Sequence, residues 1–248
     1  MDEPRLTGRV PRDRISRLAV PRPPPGVVEG LLELSGLTEL VSDALDELGI
    51  GATLPATTLA PLVSGTRAVG PALTVRNVAL ALPAHELIER GHVNRQADYE
   101  AHNLTLPGDV LVIEGHPAAS NLGGMSASLG RRQGGAGAIV WGAIRDAAHI
   151  RSIGYPVWCR CVTPVTGKWR QETTEINGVV TIGGVSVACG DLVVADESGV
   201  AFVPRDRAAE VLALASRKSR ADDARRALID RGVPIADFPL PDAAADLE

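Results

Sequence analysis

Hydrophobic positions change their spacing along this chain, and each change marks an element. Leu40, Val41, Ala44, Leu45 and Leu48 recur at the interval of one helix face, with Thr38 placed to cap its start and Gly49 to stop it. Residues 1–26 mix charge with proline, end in VPRPPPG and show no period, so they read as an arm or a disordered leader that cannot pack a core of its own. Residues 65–82 are rich in Val, Thr and Ala with strand-like alternation in the middle, whereas residues 84–103 are polar, helical or irregular, and show no legible chemistry. PGDVLVIEG (107–115) and CGDLVVADESG (189–199) share one design: a turn on Gly-Asp, an apolar run, then an acidic residue and glycine. Continuous runs of this length predict strands covered on both faces. Between them the pattern predicts a Gly-rich helix over 123–134, a buried strand over 138–141, a short helix over 146–153, a strand over 156–161 and a β-rich stretch over 177–187. Residues 205–231 read as a charged, Ala-rich helix broken near Ser219. This mixed order predicts an α/β fold of short sheets with flanking helices, organised as an arm (1–26), an α/β domain (27–204) and a helical tail (205–248).

Composition narrows the chemistry. A chain of 248 residues can bury a large core without disulfides or metal staples, and 45% hydrophobic with 22% charged residues is ordinary for a globular domain. Only seven residues are aromatic, so the core must be aliphatic. No apolar run approaches the roughly 20 residues of a membrane span, and the start, MDEPRLTGRVPRDR, is charged where a signal peptide needs an apolar core. The expectation is a cytoplasmic protein with no membrane partner. A net charge of −5 argues against nucleic acid. Cys159, Cys161 and Cys189 form no C-x-x-C pair, so they read as reduced and mostly buried. Lys168 and Lys218 are the only lysines beside 23 arginines, which leaves a Schiff-base mechanism two candidates.

Residues 116–150, HPAASNLGGMSASLGRRQGGAGAIVWGAIRDAAHI, concentrate what a small-anion site needs. Asn121 to Gly124 lead into a helix whose first-turn N–H groups can hold a carboxylate or phosphate, although glycines there serve close helix packing equally well. Arg145-Asp146 follows a buried strand, at the strand end where open sheets put ligands. The pair supplies a cation for a carboxylate or enolate and an oxygen ligand for a metal, or else a surface ion pair. His116 and His149 stand nearby as groups that titrate near neutrality. Lys168 reads as a solvated loop residue or as a contact for an anionic substrate tail, and Asp196-Glu197 as turn chemistry.

The succession PGDVLVIEG, Gly-rich helix start, AGAIVWGAIRD, YPVWCRCVTP and INGVVTIGGVSVACGDLVVADESGVAFVP resembles the RraA-like family, which includes metal-dependent 4-hydroxy-4-methyl-2-oxoglutarate aldolases and regulators of ribonuclease E. The likeness covers roughly residues 41–231, with its specific part in 107–204. It implies a swivelling β/β/α fold, a homotrimer or dimer of trimers with sites between subunits, and a small 2-oxo acid substrate. It also implies that Arg145 binds the pyruvyl portion and stabilises its enolate, that Asp146 holds Mg2+ or Mn2+, and that Leu122, Gly123, Gly124 and Met125 bind the substrate carboxylate. Two departures stand out. The family's proton-handling acid, 21 positions before the arginine, is Gly124 here, and the acid three after the aspartate is His149. His116 or His149 would then be the replacement. A further acid implied from the C-terminal helix falls on Asp222 or Asp223. The implied activity is retro-aldol cleavage or decarboxylation of a 2-oxo acid. The alternatives are a non-catalytic regulator that binds a ribonuclease or another protein, and a specialised-pathway enzyme whose site is reshaped around the two histidines.

Overall fold

A computed structural model describes residues 4–239. In chain order the elements are α1 (Val27–Leu32), α2 (Leu37–Glu47), β1 (Thr53–Pro55), β2 (Ala60–Pro61), β3 (Ala68–Ala79), α3 (Ala84–Glu89), α4 (Asp98–Leu104), β4 (Val110–Glu114) and β5 (Ser120–Leu122). They continue with α5 (Gly124–Arg132), β6 (Gly137–Ile144), α6 (Ala147–Ile153), β7 (Val157–Val162), β8 (Gln171–Ile176), β9 (Val180–Ile182), β10 (Val185–Val187), β11 (Leu192–Ala195), β12 (Gly199–Val203) and α7 (Ala208–Asp230). The mixed α/β architecture follows the order that the hydrophobic pattern predicts.

The long strand β3 joins what the pattern suggests as separate short sheets. Its first residues, Ala68–Pro71, pair antiparallel with β11, while Val75–Ala79 pair with β8 on the same edge and Ala72–Arg76 pair parallel with β4. One hydrogen-bonded path results, β1-β12-β11-β3-β4-β6-β7-β2, with β5 added to β6 and with β9 and β10 apart as a hairpin. The strands β3, β4, β6 and β7 are parallel neighbours. Within β4, Leu111 and Ile113 enter the core on one face while Val110 and Val112 enter the core on the other, as an unbroken apolar run requires. Close approach at the start of β3 needs glycine: a Cβ on Gly70 would lie 2.0 Å from the Gly108 carbonyl oxygen.

Several local expectations change. Thr38 lies inside α2 and does not cap it. Asp196, from the turn between β11 and β12, accepts both the Thr38 N–H (3.1 Å) and the Thr38 hydroxyl. The capping oxygen therefore comes from 158 positions away, which a local reading cannot see. Gly49 does end the helix, at φ +68°, with the Ile50 N–H returning to the Leu45 carbonyl at 2.9 Å. The tail helix α7 runs unbroken past Ser219, because serine costs a helix only about 0.5 kcal/mol and residues 208–230 contain neither glycine nor proline. Cys159 and Cys189 are buried as expected, but Cys161 is exposed.

Residues 4–26 run as an arm over the domain. Val10, Ile15 and Val20 are buried in the core between the parallel strands and helices α4 to α6, so the arm uses apolar surface that the domain provides. Ile15 bridges to Ile176, and Arg22 pairs with the buried carboxylate of Asp109.

Candidate functional site

The site forms where β6 ends. The Arg145 N–H bonds the Leu122 carbonyl at 3.0 Å, and Asp146 then adopts φ +60°, ψ +34°, a left-handed conformation that aspartate tolerates better than most residues. The bend returns Asp146 Oδ2 to within 2.9 Å of the Gly124 N–H and 3.5 Å of Arg145 Nε. Glycine opposite leaves room for the pair: a Cβ on Gly123 would lie a tight 3.1 Å from both Arg145 Nε and Asp146 Oδ2.

This geometry redistributes the anion-binding role given to residues 122–125. The Leu122 side chain is core, and the Gly124 N–H is already taken by Asp146. Bonding within α5 begins with the Ala127 N–H, which reaches the Gly123 carbonyl at 3.0 Å. The N–H groups of Met125 and Ser126 are thus left at the helix start for a ligand. Met125 itself is 67% exposed at the rim.

A cleft of about 430 Å³ opens beside this helix start. Gly123, Met125, Ser126 and Arg145 line it together with Asn94, Gln96, Asp98 and Tyr99, and with Lys168 and Trp169 from a further loop. The segment 84–103, in which the sequence shows no chemistry, therefore builds half of the site. Gln96 is fixed by Nε2 bonds to the carbonyls of Ser120 (3.3 Å) and Asn121 (2.9 Å). Gly167 lets this further loop approach closely: a Cβ there would lie 2.2 Å from the Ser120 carbonyl oxygen. This contact carries Lys168 to the cleft, and Trp169 is held by its Nε1–H on the His92 carbonyl at 3.1 Å.

From the cleft a polar chain runs inward to His102. His102 Nε2 lies 2.8 Å from Ser126 Oγ, and the Ser126 hydroxyl donates to Asp98. Burial holds His102 neutral, with its pKa lowered to about 4, so its Nε2–H donates to Ser126 while Nδ1 is enclosed without a partner. Desolvation raises the Asp98 carboxyl above its ordinary value, against the bond from Ser126. A carboxyl displaced upward is a stronger base than an ordinary aspartate, which suits it to take a proton from a substrate.

The two histidines part company. His149 stands over Gly124, where its ring fills the volume a side chain at 124 would use, with Cδ2 2.8 Å from an added Cβ. Its Nε2 lies 2.9 Å from Ser128 Oγ, and Ser128 donates its own proton to the Gly124 carbonyl (2.9 Å), which assigns the hydrogen to His149 Nε2. His116 follows β4, its carbonyl accepting from Asn121 Nδ2 at 2.9 Å and its Nε2 buried without a partner, and it does not line the cleft. Asp222 and Asp223 pair locally along α7 with Arg225 (3.3 Å) and Arg226 (3.1 Å). Asp196 bonds the Ser198 N–H at 2.9 Å, which is turn chemistry as expected.

The donor set at Asp146 can be tested against a metal. Its side chain is 45% exposed and only Oδ2 is engaged, while no group of three or more His, Cys, Asp or Glu suited to a metal occurs among the described residues. That fits Mg2+ or Mn2+ held by one carboxylate with water and substrate oxygens, and it does not fit a closed protein cage.

An arginine–aspartate pair at a parallel strand's carboxyl end, facing an open helix N-terminus beside a cleft, defines the class of α/β domain. The chain belongs to the RraA-like family, described as Aldolase/RraA, whose match spans residues 38–202. A protein of Halalkalibacterium halodurans named "Putative 4-hydroxy-4-methyl-2-oxoglutarate aldolase" is 34% identical over 206 residues, covering 80% of this chain and 87% of its own. Among solved structures, Streptomyces coelicolor RraAS2, an unusual member of the RNase ES inhibitor RraA protein family, is 30% identical with a TM-score of 0.70, covering 83% of this chain and 98% of its own. An uncharacterized protein of Pseudomonas syringae pv. tomato matches with 27% identity and a TM-score of 0.70 over 84% of this chain and 94% of its own.

Proposed function

We propose that the chain is a carbon–carbon lyase acting on a 2-oxo acid through its enolate, by retro-aldol cleavage of a 4-hydroxy-2-oxo acid or by decarboxylation of an oxaloacetate-like acid. The observation that carries this reading is the convergence, in one cleft, of Arg145, the open N–H groups of Met125 and Ser126, and the carboxyl of Asp98. The helix start takes the C1 carboxylate, and Arg145 stabilises the charge that develops on the C2 oxygen as the bond breaks. In the retro-aldol direction Asp98 takes the C4 hydroxyl proton, a C4 carbonyl forms as the C3–C4 bond breaks and releases one oxo product, the bond's electron pair passes to the enolate, and that proton returned to C3 gives pyruvate. Asp98 thus supplies the proton-handling group missing at Gly124, from a different element. Decarboxylation needs no such base. A Mg2+ or Mn2+ ion at Asp146 would supply Lewis-acid polarisation of the C2 oxygen. The likeness to the Halalkalibacterium protein supports this class.

Pyruvate release from oxaloacetate and from 4-hydroxy-4-methyl-2-oxoglutarate tests it, with Mg2+ and with EDTA. Arg145→Ala should abolish both reactions and Asp98→Asn only the second. Rates untouched by EDTA and by Arg145→Ala would refute it. The likeness to RraAS2 favours a second reading, a regulator that binds a ribonuclease without turnover. Pull-down with wild type and Asp146→Ala separates the two, because a regulator binds regardless of that carboxylate.

A further inference from the structure

We infer that the N-terminal arm completes the cleft and that Arg9 is a specificity-determining residue, reading an anionic group at the end of the substrate opposite its 2-oxo acid end. Arg9 lines the same cleft as Arg145 and Lys168 although it lies 29 positions before the segment matched to the family begins. Its place there is built. The Glu100 carboxylate, on α4 and 0% exposed, accepts the Thr7 N–H (2.8 Å), the Thr7 hydroxyl and the Gly8 N–H (3.1 Å). On the other side of Arg9, Val10 is buried in the core. One residue is thereby held between a charge-assisted anchor and an apolar one, so the arm delivers this side chain to the cleft at little further entropic cost.

The chemistry of Arg9 suits an anion. Its guanidinium carbon lies 4.6 Å from the centroid of the Tyr99 ring, which uses the face of the group and leaves the in-plane N–H donors free. Among the described residues no carboxylate forms an ion pair with Arg9 or Lys168. Among the described residues Arg9, Arg145 and Lys168 line a cleft with one carboxyl, Asp98, which feels the charge of Arg9 without forming an ion pair with it. With Arg145 and the helix start on the 2-oxo acid end, an assignment that rests on the function proposed above, Arg9 is left for a second carboxylate.

Calorimetric binding of pyruvate and of 2-oxoglutarate to the full chain in Mg2+ buffer tests this, using wild type, Arg9→Ala, Arg9→Lys and Arg145→Ala. Arg9→Ala should weaken 2-oxoglutarate about tenfold and pyruvate less than about twofold, with Arg9→Lys recovering part of the loss. Equal losses for the two acids, or none, overturn the inference. Arg145→Ala should weaken both acids alike. If it weakens neither while Arg9→Ala still acts selectively, the inference stands and the proposed function fails.

Discussion

Restoring an acid at Gly124 perturbs the site at its most crowded point. In Gly124→Asp the new Cβ would lie 2.8 Å from His149 Cδ2, 3.2 Å from Asp146 Cβ and 3.4 Å from Asp146 Oδ2. The imidazole must swing away and give up its 2.9 Å bond to Ser128, a loss of about 0.5–1.5 kcal/mol. A second carboxylate about 4 Å from Asp146 costs between ~1 kcal/mol in water and ~4 kcal/mol at a protein surface of low polarisability. Because Asp146 is 45% exposed, we take about 2 kcal/mol. Replacing a helical glycine and placing an anion in the first turn offset about 1 kcal/mol. The expected outcome in EDTA is a chain less stable than wild type by about 1–3 kcal/mol, read by urea unfolding. Adding His149→Ala removes the steric part and leaves the charge, so the double mutant should show a favourable coupling of about 1 kcal/mol. Millimolar Mg2+ should restore more stability to Gly124→Asp than it adds to wild type, since two carboxylates then share one cation. A variant as stable as wild type in EDTA, with no coupling to His149→Ala, would refute the argument that His149 and Asp146 enclose position 124.

Other expectations follow from the buried groups. His102 has its folded pKa lowered from 6.5 to about 4, so its neutral form contributes stability that is complete above pH 6.5 and is lost as pH falls toward 4. The loss amounts to about 3 kcal/mol, and His102→Gln should flatten that part of the urea-unfolding profile against pH. Asp98 has the opposite sign: its folded pKa is raised, so its contribution is complete below the unfolded value and is lost as pH rises through the folded one. Asp98→Asn should therefore unfold at higher urea than wild type at neutral pH, while losing retro-aldol turnover. With burial pushing Cys159 up to about 11 and Cys189 to about 12, a thiol reagent at mildly alkaline pH should label the native chain at Cys161 alone, as mass spectrometry of the peptides would show.

Much of the fold was legible because its central strands carry continuous apolar runs, and β4, β6 and β11 lie where those runs predict them. What escaped is what long-range contact decides. Asp196 caps α2 from another part of the chain, and β3 shows no sign in its sequence that it will serve two antiparallel partners along one edge. The site divides in the same way. Arg145, Asp146 and the glycines before α5 are adjacent in sequence and so form a visible motif. Asp98, Gln96 and Tyr99 come from a segment with neither glycine-rich turn nor apolar period, and Arg9 from a proline-rich arm. Lys168 had a signal, the glycine before it, whose contact with Ser120 brings the loop down.

The charges of the cleft run against those of the chain. The protein carries a formal charge of −5, yet Arg9, Arg145 and Lys168 meet in one concavity with a single carboxyl whose pKa is pushed upward. Arg9 and Lys168 are solvent-exposed there, and Glu100, Ser120 and Asp146 fix the segments that carry the three cations. An anion entering the cleft gains the field of three cations plus a helix N-terminus, which a neutral molecule of the same size does not. This field predicts a preference for anionic ligands that weakens with added salt more steeply than binding through Arg145 alone would.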